Sequence, residues 1–79
     1  MSERLELHRP MLRAVGGAIH SRRHQRGLSQ AAVASHCRFD RAYLSTIEAG
    51  LRNPTLITLV CIASALGCPP SEILADAGY

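Results

Sequence analysis

Apolar residues recur along this chain at helical spacing, and nowhere do they alternate with polar ones long enough to mark a strand. Leu12, Val15 and Ile19, with Arg23 continuing the line, share one face of a helix that begins at Pro10, whose missing N–H costs nothing there, and ends at Gly27. Ser29 caps a short second helix, Gln30 to His36, with Ala31, Val33 and Ala34 turned inward. Asp40 caps a third helix from Arg41 to Glu48 or Ala49, with Leu44 and Ile47 inward and Gly50 closing it. Only Cys37–Arg38–Phe39 separates the two, and Phe39 is the apolar plug that so tight a connection needs. Thr55 caps a fourth helix, Leu56 to Leu66, ended by Gly67; a last short helix, Glu72 to Ala77, is started by Ser71 or Pro70 and carries Ile73 and Leu74. The expected architecture is all-α with five helices in a single domain over residues 10–79, preceded by an extension over residues 1–9. Gly16–Gly17 interrupts the first helix at about 1 kcal/mol per glycine relative to Ala. Close approach of a neighbouring helix is one explanation and sequence drift the other.

The fourth helix breaks the amphipathic rule. Leu56, Leu59, Val60, Ala63 and Leu66 form one face, and Ile57, Cys61 and Ile62 continue around it. A helix apolar on most sides has to be covered on most sides, and a 79-residue chain has little left to cover it with. A homodimer contact through Ile57, Cys61, Ile73 and Leu74 is therefore expected.

Charge changes the picture through its distribution. The net charge is +3 and all nine basic residues are Arg. Residues 1–28 carry +4, residues 29–54 carry +1 and residues 55–79 carry −2. One end should attract a polyanion and the other should not. Phe39, Tyr43 and Tyr79 are the only aromatics, too few for the stacking platforms of single-strand or RNA readers, so duplex DNA is the expected polyanion.

The remaining composition serves to exclude. Cys37, Cys61 and Cys68 are odd in number and contain no C-x-x-C pair, against a disulfide framework and for a reducing compartment. His20 and His24 lie one helical turn apart without a Cys or carboxylate at a ligand-like offset, so no metal is expected and both are read as solvent-facing. The apolar run from Leu56 to Cys68 has 13 residues, short of the ~20 that cross a bilayer. Charged residues before Pro10 argue against a secretory signal. A cytoplasmic location with no membrane partner is the expectation.

Two short helices joined by about three residues inside a basic helical domain are the elements of a helix-turn-helix, here over about residues 30–49. The residues G27-L-S-Q30, A34-x4-F39-D-R-A-Y-L-S-T-I-E48-A-G50 and R52-N-P-T55-L resemble phage-repressor/Cro-like regulators of the xenobiotic-response-element type. The resemblance covers about residues 12–77 and is specific as a set. Its D-R-x-Y-L-S-x-I-E…R-N-P-T pattern is similar to the controller proteins of restriction–modification systems. It implies a phage-repressor-like DNA-binding domain and an internal ion pair between Arg23 and Glu48. One departure is Arg38, which stands where the family commonly has Gly or Asn; a left-handed backbone there would cost a non-glycine residue roughly 1 kcal/mol.

Physical chemistry then assigns roles. The third helix would lie in the major groove with its first turn nearest the bases. Arg41 has the forked donors to grip guanine, the alternative being a phosphate or Asp40; Ala42 offers a methyl to thymine or leaves room; Ser45 and Thr46 face outward one turn on, toward bases, phosphates or solvent. The start of the second helix, Ser29 and Gln30, suits a phosphate, the alternative being a capping or solvated Gln. Tyr43, Arg52 and Asn53 are candidate backbone contacts, whereas Arg22 and Arg26 are read as solvated. The resulting expectation is a dimeric, sequence-specific transcriptional regulator on a palindromic operator, its half-sites about 34 Å or one turn apart, with no cofactor and with RNA polymerase as a further candidate partner. An antitoxin-type module that binds a toxin as well as DNA is the rival. Nothing arranges a nucleophile, base and oxyanion donors around a cavity, so an enzyme is not expected.

Overall fold

The computed structural model describes residues 2–79. Among these there are six helices and no strand: α1 (Ser2–Leu7), α2 (Arg9–Gln25), α3 (Gln30–Cys37), α4 (Arg41–Glu48), α5 (Leu56–Leu66) and α6 (Pro70–Asp76). Five correspond to the expected segments within a few residues. The sixth, α1, falls in the stretch read as an extension, so the five-helix count is corrected to six. Its apolar residues do not repeat at helical spacing, and Leu7 is exposed.

The helix starts follow their capping chemistry. Ser29 Oγ accepts from Ala32 N and Thr55 Oγ1 from Thr58 N, each at 3.0 Å. Asp40 holds the N-cap position of α4, but its side chain makes no capping bond. The turn between α3 and α4 closes through Arg38 N to Ser35 O (3.2 Å) and Phe39 N to Ala34 O (3.1 Å). That closure places Arg38 in the left-handed region at φ 58°, ψ 41°, the one non-glycine residue among those described with positive φ. The departure from the family pattern is thus accommodated without reshaping the turn.

α2 packs on α4 and α6, and α3 on α4 and α5. The core between them comprises Val15, Ile19, Val33, Leu44, Ile47, Leu59, Ile62, Ala63, Leu66 and Ile73. Ala31 is exposed rather than inward. The buried stripe of α5 is Leu59–Ile62–Ala63–Leu66, an i, i+3, i+4, i+7 set. Leu56 and Val60, expected on that face, lie outside it. No single helix among the described residues is long and apolar enough to cross a membrane.

Gly16 has a packing reason and Gly17 does not. A Cβ on Gly16 would collide with the carbonyl oxygens of Ile47 and Glu48 at the end of α4, whereas one on Gly17 would meet nothing. Close approach therefore accounts for the first glycine alone.

Candidate nucleic-acid interface

α4 is seated by a buried pair of charges. Arg23, 7% exposed, donates from Nε to Glu48 Oε2 (2.8 Å) and from Nη2 to Glu48 Oε1 (2.9 Å), and its Nη1 donates to Leu28 O at 3.0 Å. The pair implied by the resemblance is present, and it is two-pronged. Burial pushes the Glu48 carboxyl up, but hydrogen bonds from Arg23, Gln30 and His20 outweigh it and hold the group below its ordinary range. The Glu48 bond likewise raises Arg23 against its own desolvation. Both shifts favour the ionised pair, which joins the last turn of α4 to α2.

The network continues toward solvent. Gln30 Nε2 donates to Glu48 Oε1 (3.1 Å), which fixes the amide so that its oxygen faces the other way, and Arg41 Nη1 donates to that oxygen at 3.1 Å. Gln30 thereby joins the ion pair to the first residue of α4. Arg41 itself is exposed, and one of its five N–H groups is committed to Gln30. This bridge was not legible in the sequence, because residues 11 and 18 positions apart have no local spacing rule to connect them. His20, read as solvent-facing, is half exposed yet places Nδ1 3.0 Å from Glu48 Oε1.

Around Arg41, Ala42 is exposed and Ser45 is half-buried. Thr46 is half-buried too, and its hydroxyl donates to Tyr43 O at 2.7 Å rather than standing free. Tyr43 packs edge-on against Phe39, with ring centroids 5.0 Å apart, and the Arg52 guanidinium lies over its ring at 5.6 Å. Arg52 and Asn53 are exposed in the loop after α4. Gln30 and Arg41 are thus joined at the starts of α3 and α4, next in the chain to Ser29 and Ala42, while Arg52 stacks on Tyr43 of α4.

Two readings need correction. Ile73 is completely buried within its own chain and is a core residue, unable to meet a partner; Leu74 is partly buried against the same core. Their helix folds back onto α2 and α5, which apolar content alone could not distinguish from an outward face. Arg22 is not simply solvated: Nε donates to Asp76 Oδ2 at 2.6 Å, and Nη1 lies 3.1 Å from Glu72, tying α2 to α6.

The sequence profile of the helix-turn-helix domain family matches residues 14–75. An uncharacterized HTH-type transcriptional regulator, y4dJ of Sinorhizobium fredii, is 41% identical over 64 residues, 81% of this chain and 83% of that protein. The clp gene regulator ClgR from C. glutamicum superimposes with a TM-score of 0.83 at 28% identity, over 86% of this chain and 88% of that one. The restriction–modification controller protein C.Esp1396I, solved as a tetramer with its natural 35 base-pair operator, superimposes with a TM-score of 0.75 at 29% identity, over 87% of this chain and 96% of that one. With these likenesses spanning the braced α3–α4 pair, the chain belongs to the helix-turn-helix family of phage-repressor-like transcriptional regulators.

Proposed function

We propose that the protein binds a palindromic duplex operator as a homodimer, with α4 in the major groove and Arg41 reading a guanine. The observation that carries this is the Arg23–Glu48–Gln30–Arg41 chain of hydrogen bonds, which presents an exposed, oriented guanidinium at the start of α4 from a buried anchor. A base-reading side chain fixed before binding loses less freedom on docking. Ala42 and Ser45 belong to the same reading head. Ser29, Tyr43, Arg52 and Asn53 serve the phosphates, and Gln30 serves Arg41, with one amide N–H left for a phosphate.

Dimerisation is supported by the start of α5, where Leu56 and Ile57 are each 75% exposed and Val60 is 46% exposed; Cys61 borders them. The chain measures 33 Å along its longest axis and offers one recognition helix, so two half-sites about 34 Å apart require two copies. Control of a restriction–modification system is supported by the D-R-x-Y-L-S-x-I-E motif and the likeness to C.Esp1396I.

The test is a gel shift with duplex DNA from upstream of the protein's own gene, against scrambled DNA, at physiological salt. Wild type should prefer its own DNA, and Arg41→Ala should lose about 1–3 kcal/mol of that preference, roughly 5–150-fold. Equal binding to both DNAs would leave only electrostatic attraction and overturn the reading. Controller function predicts in addition that the bound segment lies upstream of methyltransferase or endonuclease genes.

A further inference from the structure

The N-terminal helix is docked, and the docking places it beside the loop that follows α4. Arg9 does this with both ends of its guanidinium: Nη1 donates to Gly50 O at 2.8 Å and Nη2 to Glu6 Oε1 at 3.0 Å. One side chain thus ties α1 to a carbonyl in the turn that follows α4. The bond to Gly50 is part-buried, whereas the pair with Glu6 lies at the surface. The result is a depression of about 340 Å³ lined by Arg4, Leu5 and His8 from the N-terminal segment, Met11 and Leu12 from α2, and Asn53 from the loop. Its lining joins three apolar side chains, Leu5, Met11 and Leu12, to one guanidinium, one imidazole and one amide. Arg4 is the one permanently charged residue among those lining it, and Glu6 nearby is engaged by Arg9.

We propose that this depression is an additional DNA-backbone site, in which Arg4 and His8 together with Asn53 hold a phosphate flanking those met by the helix-turn-helix. The inference rests on the operator-binding reading above and extends it to a segment outside the two-helix motif. Arg4 supplies charge and forked donors, Asn53 supplies an amide N–H, and Arg9 positions α1 without meeting the phosphate. Such a contact carries no sequence information, so it strengthens binding to all duplexes alike. It also gives α1, which contributes little to the core, a reason to be held in place.

The test uses the full chain and a 30-base-pair duplex of random sequence, with affinity measured by fluorescence anisotropy between 50 and 200 mM NaCl. Each phosphate contact adds about 0.9 to the slope of log affinity against log salt. Arg4→Ala should lower the slope by about that amount, so that wild type loses about 3–4-fold more affinity than the variant across the range. Arg4→Lys should restore the slope, and preference for the promoter duplex over the random one should not change in either variant. An unchanged slope for Arg4→Ala, beside a reduced one for Arg52→Ala, would overturn this site and leave the operator reading standing. Failure of wild type to bind any duplex would overturn both. Circular dichroism melting checks that the variants stay folded, which the exposure of Arg4 leads one to expect.

Discussion

The start of α4 and the start of α5 are opposite solutions to the same problem, a helix end at the surface. At α4 an exposed cation is braced from within: Arg41 by Gln30, Gln30 by Glu48, Glu48 by a buried Arg23, and among the described residues no buried side-chain nitrogen or oxygen lacks a partner. Around the start of α5 Leu56, Ile57 and Val60 are exposed, and no described residue covers them. Full burial of such side chains is worth about 1.5–3 kcal/mol each, a large fraction of what an 8.6 kDa chain commands. The first surface is finished and waits for a ligand that it meets with fixed geometry. The second is left apolar and open, and the dimer proposed above is what would cover it. On the proposed function, specificity would sit in the rigid polar network and part of the stability would come from assembly.

The sharpest way to break the polar side is to remove half of its anchor. Arg23→Ala leaves the Glu48 carboxylate buried with only Gln30 and His20 to satisfy it, and breaking such a pair costs about 3–5 kcal/mol. Urea unfolding should show that loss, and binding should fall with it because Gln30 and Arg41 lose their support. Replacing both partners by apolar residues, Arg23→Met with Glu48→Leu, should recover most of the stability but not the DNA preference, which separates folding from positioning. Acid gives the same comparison without mutation. Because the folded state holds Glu48 below its ordinary range, its contribution is complete above the unfolded-state value of about 4.3 and is lost as pH falls through the lower folded one. Glu48→Gln should flatten that part of the stability–pH curve.

The apolar side is tested by two isoleucines that the sequence could not tell apart. Ile73→Ala, in the core, should cost about 2–5 kcal/mol of stability. Ile57→Lys should leave the monomer fold intact and abolish the dimer, which sedimentation would report as a fall from twice the 8.6 kDa chain mass to that mass. A wild-type protein that sediments as a monomer at tens of micromolar would remove the contrast between the two surfaces altogether.

What was legible in the sequence is explained by the range over which each signal acts. Caps, closing residues and 3.6-residue periodicity are local, and they located α2 to α6 within a few residues. The Arg23–Glu48 pair was legible through family resemblance, and the position of Arg41 at the first residue of α4 through the cap before it. Long-range partners were not legible. Arg22 with Asp76, Arg9 with Gly50 and Gln30 between Glu48 and Arg41 are joined only by tertiary packing. The apolar pattern showed that α5 and α6 carried more hydrophobic surface than one stripe needs. It could not show that α6 turns its excess inward and α5 outward, since that depends on the angle at Gly67–Pro69.

The two central glycines offer the finest comparison, because they are adjacent and only one faces the braced region. Gly16 lies where α2 meets the end of α4, and its missing side chain lets the Ile47 and Glu48 carbonyls approach the helix. These are backbone atoms at the base of the Arg23–Glu48 anchor, so they cannot swing aside as a side-chain tip would. Gly16→Ala should therefore destabilise by about 1–3 kcal/mol, as overpacking does, and should shift α4 enough to weaken DNA binding. A Cβ on Gly17 would meet no described atom within 4 Å, and Ala there recovers helix propensity with nothing to displace. Gly17→Ala should stabilise by about 1 kcal/mol, raising the thermal midpoint by several degrees and leaving operator affinity unchanged. A loss of affinity in Gly17→Ala would mean that the open face of α2 also takes part in binding, and the division between a polar reading surface and an apolar assembly surface would then need a third member.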